Sequence, residues 1–191
     1  MPALCFTGYR IVDENNREKS IMSAPPVPAF DDLLLVNNIV GCTMALNFAA
    51  VRLICETLPR PGRVAMHDWW IAQVVGGVGT LVRLDEPLVR YRQHGANQIG
   101  AARPLARLRR MGRLLFAGRP HPLLPQLIEL RDRVGDRLRP SDLARLTHVI
   151  AGIDGPLLRR MALAREVRRE SGLLTAVLIA AGYFRNAVRP D

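Results

Sequence analysis

The chain has 191 residues (21.3 kDa), 49% of them hydrophobic, which is ample for a packed core and too many for a disordered chain. Its formal net charge is +10, yet residues 1–100 are neutral, with nine basic side chains against nine acidic. Residues 101–191, with eighteen arginines against eight acids, hold the whole excess. Cys5, Cys42 and Cys55 stand at wide spacings that exclude both a disulfide framework and a Cys-x-x-Cys metal knuckle, so a reducing compartment is expected.

The first element in chain order is a strand over residues 4–12 (LCFTGYRIV), loosely alternating and rich in β-formers, that runs into the polar turn Asp13-Glu14-Asn15-Asn16. Three prolines make residues 23–28 a loop. Asp31 or Asp32 then opens a short helix over 33–37, with acids favourable in its first turn. Residues 38–44 read as a strand interrupted by Gly41. Residues 47–58 have apolar side chains at helical spacing and end at Pro59 and Pro61. A further helix covers 67–75 and closes at Gly76-Gly77. Strands over 80–84 and 88–92 flank the turn Asp85-Glu86-Pro87.

Beyond residue 101 the composition changes. Leucines at helical spacing, with arginines between them, predict helices over 103–115, 123–138, 141–153, 156–171 and 173–188, with Ser141 as an N-cap. The expected organisation is an α/β piece over residues 1–101 and an arginine-rich helical region over 102–191.

Three segments hold polar residues that an apolar core does not explain. In NNIVGCT (37–43) a glycine and a hydroxyl interrupt an apolar strand. In MHDWW (66–70) an acid precedes the chain's two tryptophans. In DEPLVRYRQHGAN (85–97) a strand ends in a histidine beside a glycine. Asp68 suits a general base, since a carboxylate beside aromatic faces stays partly dry while the rings stack on a sugar. The competing reading makes Asp68 a helix N-cap and Trp69 and Trp70 core filling. Gly41 and Thr43 suit a loop where backbone approaches a ligand and a hydroxyl bonds to it, or else a strand kink with a buried threonine. Arg92 could meet phosphate charge or lie on a solvated face.

Taken in order, these segments resemble the acceptor half of family 2 glycosyltransferases, in particular bacterial rhamnosyltransferase-like enzymes. The resemblance begins at TGYRIVDEN (7–15) and continues through NNIVGCTMALN (37–47), MHDWW (66–70) and LDEPLVRYRQHGANQIGA (84–101). The helical tail resembles the family only through Gly182-Tyr183-Phe184-Arg185. The resemblance implies a partial GT-A-like, Rossmann-like mixed sheet followed by a mainly helical basic tail. It implies transfer of a sugar, rhamnose among the candidates, from a nucleotide sugar to a glycan or lipid-linked acceptor, with inversion. It makes Asp68 the catalytic base, Gly41, Thr43, Trp69, Trp70 and Arg92 substrate contacts, and His94 a ligand of a divalent Mg²⁺ or Mn²⁺ ion.

The family's nucleotide-binding half and its acidic D-x-D metal motif would precede Thr7. No D-x-D occurs before residue 68, and Gly8 stands where relatives commonly place an acid. The expectation is therefore a truncated, split or decayed copy that turns over no nucleotide sugar by itself. The sequence MPALCFTGYR lacks a signal-peptide layout, and the longest uncharged apolar run, residues 172–184, is shorter than the ~20 residues needed to span a bilayer. A cytoplasmic location is expected, with the arginine-laced helices able to hold the chain peripherally at the anionic inner face of the plasma membrane. A basic module for membrane or nucleic acid is the alternative function. No helix-turn-helix, finger or aromatic RNA-binding signature accompanies the charge, so nucleic acid is the less favoured partner.

Overall fold

A computed structural model describes residues 1–92 and 123–185. The protein is mixed α/β. Strand β1 (Ala3–Val12) is the centre of a four-stranded sheet. Its second half pairs antiparallel with β2 (Glu18–Met22), its first half antiparallel with β3 (Met44–Leu46), and its other edge runs parallel to β4 (Thr80–Arg92). The β1–β2 turn is held by Asp13, whose Oδ1 accepts from the amides of Asn15 and Arg17 at 3.0 and 2.9 Å. Strand β2 carries no alternation signal because all five of its residues are exposed.

The turn expected at 85–87 is a bulge inside one strand. β4 pairs Leu84 with Thr7 and Val89 with Tyr9, so residues 85–88 all stand opposite Gly8. The Thr7 hydroxyl donates to the Glu86 carbonyl and accepts from Leu88 N at 3.3 Å, which gives the bulged backbone its partners. A Cβ at Gly8 would run into the Met22 carbonyl oxygen and stand 2.9 Å from Ala24 N, so an acid does not fit there.

Helices α1 (Phe30–Leu35), α2 (Phe48–Glu56) and α3 (His67–Val78) accompany the sheet. α1 begins before the predicted 33–37, which puts Asp31 and Asp32 in its first turn. α3 passes through Gly76 and Gly77 rather than stopping there, because Phe30 and Leu138 pack closely on Gly77. Residues 38–44 are not a strand: a 3₁₀ turn, Gly41–Thr43, precedes the three residues of β3. In the tail, α4 (Leu123–Val134) gives way to a 3₁₀ turn, Gly135–Arg137. α5 (Pro140–Asp154) has its proline in the first turn and Arg139, not Ser141, at the N-cap. α6 (Leu157–Ala180) is broken at Gly172, whose φ of 82° lies in the left-handed region. A last 3₁₀ turn covers Tyr183–Arg185. The helix expected over 103–115 lies outside the described residues.

One apolar cluster joins Phe30, Leu34, Trp69, Trp70 and Val74 to Leu127, Leu146, Val167 and Phe184, so the two sequence segments share a core. Buried amides reinforce the junction. Gln126 accepts from Ala65 N at 2.7 Å and donates to Gln73 Oε1 at 2.8 Å, while Gln73 donates to the Leu33 carbonyl at 2.9 Å. The buried carboxylate of Glu129 on α4 accepts from Arg60 N at 3.0 Å and Arg60 Nε at 2.8 Å.

Candidate functional site

Asp68 is the second residue of α3, two positions past the N-cap Met66, so it does not itself cap the helix. It is buried, and three N–H groups converge on its carboxylate. Oδ1 accepts from Trp69 N at 2.7 Å, one of the amides that a helix start leaves unpaired, and from Asn37 Nδ2 at 3.0 Å. Oδ2 accepts from Gly41 N at 3.1 Å. Asn37 is held in turn by accepting from Ile39 N at 3.4 Å. The 37–43 loop is thereby latched to the first turn of α3, which is why a turn forms where the sequence suggests a strand.

Gly41 and Asp68 are therefore brought together, with the glycine's backbone on the carboxylate. A Cβ on Gly41 would lie 3.1 Å from Asp68 Cβ and 3.3 Å from both Asp68 Oδ2 and His67 Nε2, so the glycine lets the loop approach the helix. Thr43 is buried and donates its hydroxyl to the Val40 carbonyl at 2.7 Å, which closes the 3₁₀ turn rather than presenting a donor to a ligand.

The tryptophans correct the sequence reading. Trp69 and Trp70 are both buried in the shared core, and Trp69 Nε1 donates to the Leu33 carbonyl at 2.6 Å. Neither indole offers a face to a sugar, because both extend from the helix side that packs on α1 and the tail. Trp70 Nε1 is buried without a hydrogen-bond partner among the described residues. Arg92 is exposed at the end of β4, and alternation points it to the opposite face from its neighbour Tyr91. His94 lies outside the described residues.

Five further side chains, to which the sequence reading assigned no role, belong to the candidate site. Asn37 bonds to the carboxylate directly. His67 and Cys42 are exposed beside Asp68. Tyr9 and Tyr91 place their rings 5.4 Å apart at 60°, brought together by the parallel register of β1 and β4. Burial raises the Cys42 thiol above its ordinary pKa, and the Asp68 charge raises it further. Burial also raises Tyr9, with Tyr91 and then Cys42 adding to the effect. The tyrosine pair, Cys42 and Asp68 are thus within electrostatic reach along one rim. Asn37, His67 and Tyr91 lie within the polar segments that stand out in the sequence, while Tyr9 lies in an ordinary strand pattern.

The resemblance places its divalent ion at His94, outside the described residues, and the donor set around Asp68 adds no ready ligand to such an ion. Mg²⁺ and Mn²⁺ seek several oxygen ligands, whereas the carboxylate oxygens already face N–H hydrogens. Among the described residues no three His, Cys, Asp or Glu side chains are grouped to hold a metal. Comparison with protein-family models, with curated proteins and with solved structures finds no match to this chain.

Proposed function

We propose that the Asp68 site is the acceptor side of an inverting, GT-A-like glycosyltransferase centre, of the rhamnosyltransferase-like kind. The observation that carries this reading is the convergence on one carboxylate of the 37–43 loop and the α3 start, with Tyr9 and Tyr91 on the rim beside Cys42. In that role Asp68 takes the proton from an acceptor hydroxyl. The hydroxyl oxygen attacks the anomeric carbon of a nucleotide sugar, and the bond to the diphosphate breaks with its electron pair leaving on the diphosphate. Asn37 and Gly41 hold the carboxylate in one orientation, and Oδ2, with a single N–H partner, is the oxygen with room for the incoming proton. Apolar and aromatic surface at Tyr9 and Tyr91 supplies the sugar face that the buried tryptophans do not.

Saturation-transfer NMR with rhamnose and rhamnose-containing disaccharides tests the reading. Ring protons of the saccharide are expected to receive saturation from the parent protein and to lose it in Cys42→Trp, which fills the rim from an exposed position. Asp68→Asn is expected to weaken the signal as well. Saccharides that receive none, or an equal signal in Cys42→Trp, would overturn the assignment.

A further inference from the structure

The arginine excess of the tail is not uniform in its surroundings. On and after α4 the guanidinium groups have carboxylates: Arg131 pairs with Asp132 at 2.9 Å, Arg133 with Glu129 at 3.0 Å, Arg137 with Glu56 at 2.9 Å and Arg139 with Asp142 at 2.8 Å. These side chains bind the fold together and leave little charge for a partner. On α6 the pattern differs. Arg165 and Arg168 are exposed and have no carboxylate partner among the described residues. They rim a groove between the two arms of the broken helix, residues 157–171 and 173–180, with Met161 and Ala164 on one wall and Ala176 and Val177 on the other. The same arms expose Leu158 (81%) and Leu173 (61%), and the bend at Gly172 opens on free space.

We propose that this broken helix docks on an anionic lipid surface, with Leu158 and Leu173 entering the headgroup–acyl boundary and Arg165 and Arg168 meeting lipid phosphates. Large exposed leucines need an apolar phase, unpaired arginines need anions, and the boundary of an anionic bilayer presents both at the depth of one helix. Nucleic acid offers the phosphates without an apolar layer for the leucines. A second copy would set Arg165 and Arg168 against their own images, and like charges facing one another oppose that contact. No described helix is long and apolar enough to cross a membrane, so the contact lies on the surface. The proposal is independent of the Asp68 site.

Co-sedimentation of the full chain with phosphatidylcholine vesicles, and with phosphatidylcholine–phosphatidylserine vesicles, tests it. Binding is expected only to the mixed vesicles and is expected to weaken as salt rises. Arg165→Gln/Arg168→Gln is expected to lower the partition constant about thirtyfold, the ratio that two surface cations supply. Leu158→Ser/Leu173→Ser is expected to lower it at least about tenfold, given the apolar area removed from the boundary. All four side chains are exposed, so both variants should keep the parent's thermal transition. Absence of binding to mixed vesicles would overturn the proposal, as would parent-like binding by either double variant. Duplex DNA that competes for the arginines while the leucine variant binds normally would assign the surface to nucleic acid instead.

Discussion

The amide of Gly41 donates to Oδ2 of Asp68 at 3.1 Å, across 27 residues of sequence, and that bond turns a would-be strand into a loop. The same carboxylate collects Asn37 and Trp69, so it ties the loop to the start of the helix. Replacing the acid therefore tests architecture first. Asp68→Asn puts an NH₂ among three N–H donors, and at least one donor must go unpaired. A loss of about 2 kcal/mol is expected, the usual cost of an unsatisfied buried group. Urea denaturation of the two proteins measures it, and a variant as stable as the parent would contradict the latch.

The buried amides that join α3 to α4 should behave as a unit. Gln126→Leu strips Ala65 N and Gln73 Oε1 of their partners, and Gln73→Leu leaves Gln126 Nε2 without an acceptor. Each is expected to cost about 2 kcal/mol alone. Together they should cost less than the sum by about 1 kcal/mol, because the second substitution removes a group already orphaned. A double-mutant cycle by denaturant unfolding reads that coupling, and strict additivity would place the amides outside one network.

Glu129 gives the fold an acid sensitivity. Burial by itself would raise its pKa, but the side chain and amide of Arg60, helped by Arg133, hold it down to about 2 from the ordinary 4.5. A carboxyl with a depressed folded pKa contributes stability that is fully present above its unfolded value and is lost as pH falls through the folded one. The window here runs from about 4.5 down to about 2. The thermal midpoint of the parent should fall across that window more steeply than that of Glu129→Gln, which has no proton to take up.

Thr7 should be a local keystone of β4. Thr7→Val keeps the shape and removes the hydroxyl that serves the Glu86 carbonyl and Leu88 N. About 1 kcal/mol of stability is expected to go with it. Amide exchange at Leu88 should accelerate while the pairing of Ala3 to Phe6 with β4 stays protected. Uniform acceleration along β4 would contradict a bulge fixed at one point.

What could be read from the sequence depended on whether the cause of a structure was local. β1 and α3 announce themselves through composition and apolar spacing, and Pro140 starts α5 from within its own first turn. The acid at 68 stood out because a carboxylate beside two tryptophans is unusual in an apolar helix. Its partners were not, since Asn37 and Gly41 reach it only after the loop folds back. The tryptophans misled for the same reason: their burial depends on α4 and α5, which arrive more than fifty residues later. The Tyr9–Tyr91 contact needed the strand register, and the bulge that sets that register depends on one hydroxyl on another strand.

Cys42 offers a direct probe of the site's charge. Its thiol is raised first by burial and then by the Asp68 carboxylate, so at a given pH less of it is thiolate than for a thiol at its ordinary pKa. Because the thiolate is the reactive form, alkylation of Cys42 should be slow in the parent despite its exposure. Asp68→Asn removes the negative neighbour, lowers the thiol pKa and should accelerate the reaction. The gain should appear as a shift of the pH–rate profile toward lower pH with the plateau rate unchanged. Peptide mass analysis of iodoacetamide-treated protein resolves Cys42 from Cys5 and Cys55, and the rate at the half-buried Cys5 serves as the control for general loosening. Equal acceleration at both would mean that the substitution opened the structure. Acceleration at Cys42 alone would mean that the thiol reports the carboxylate.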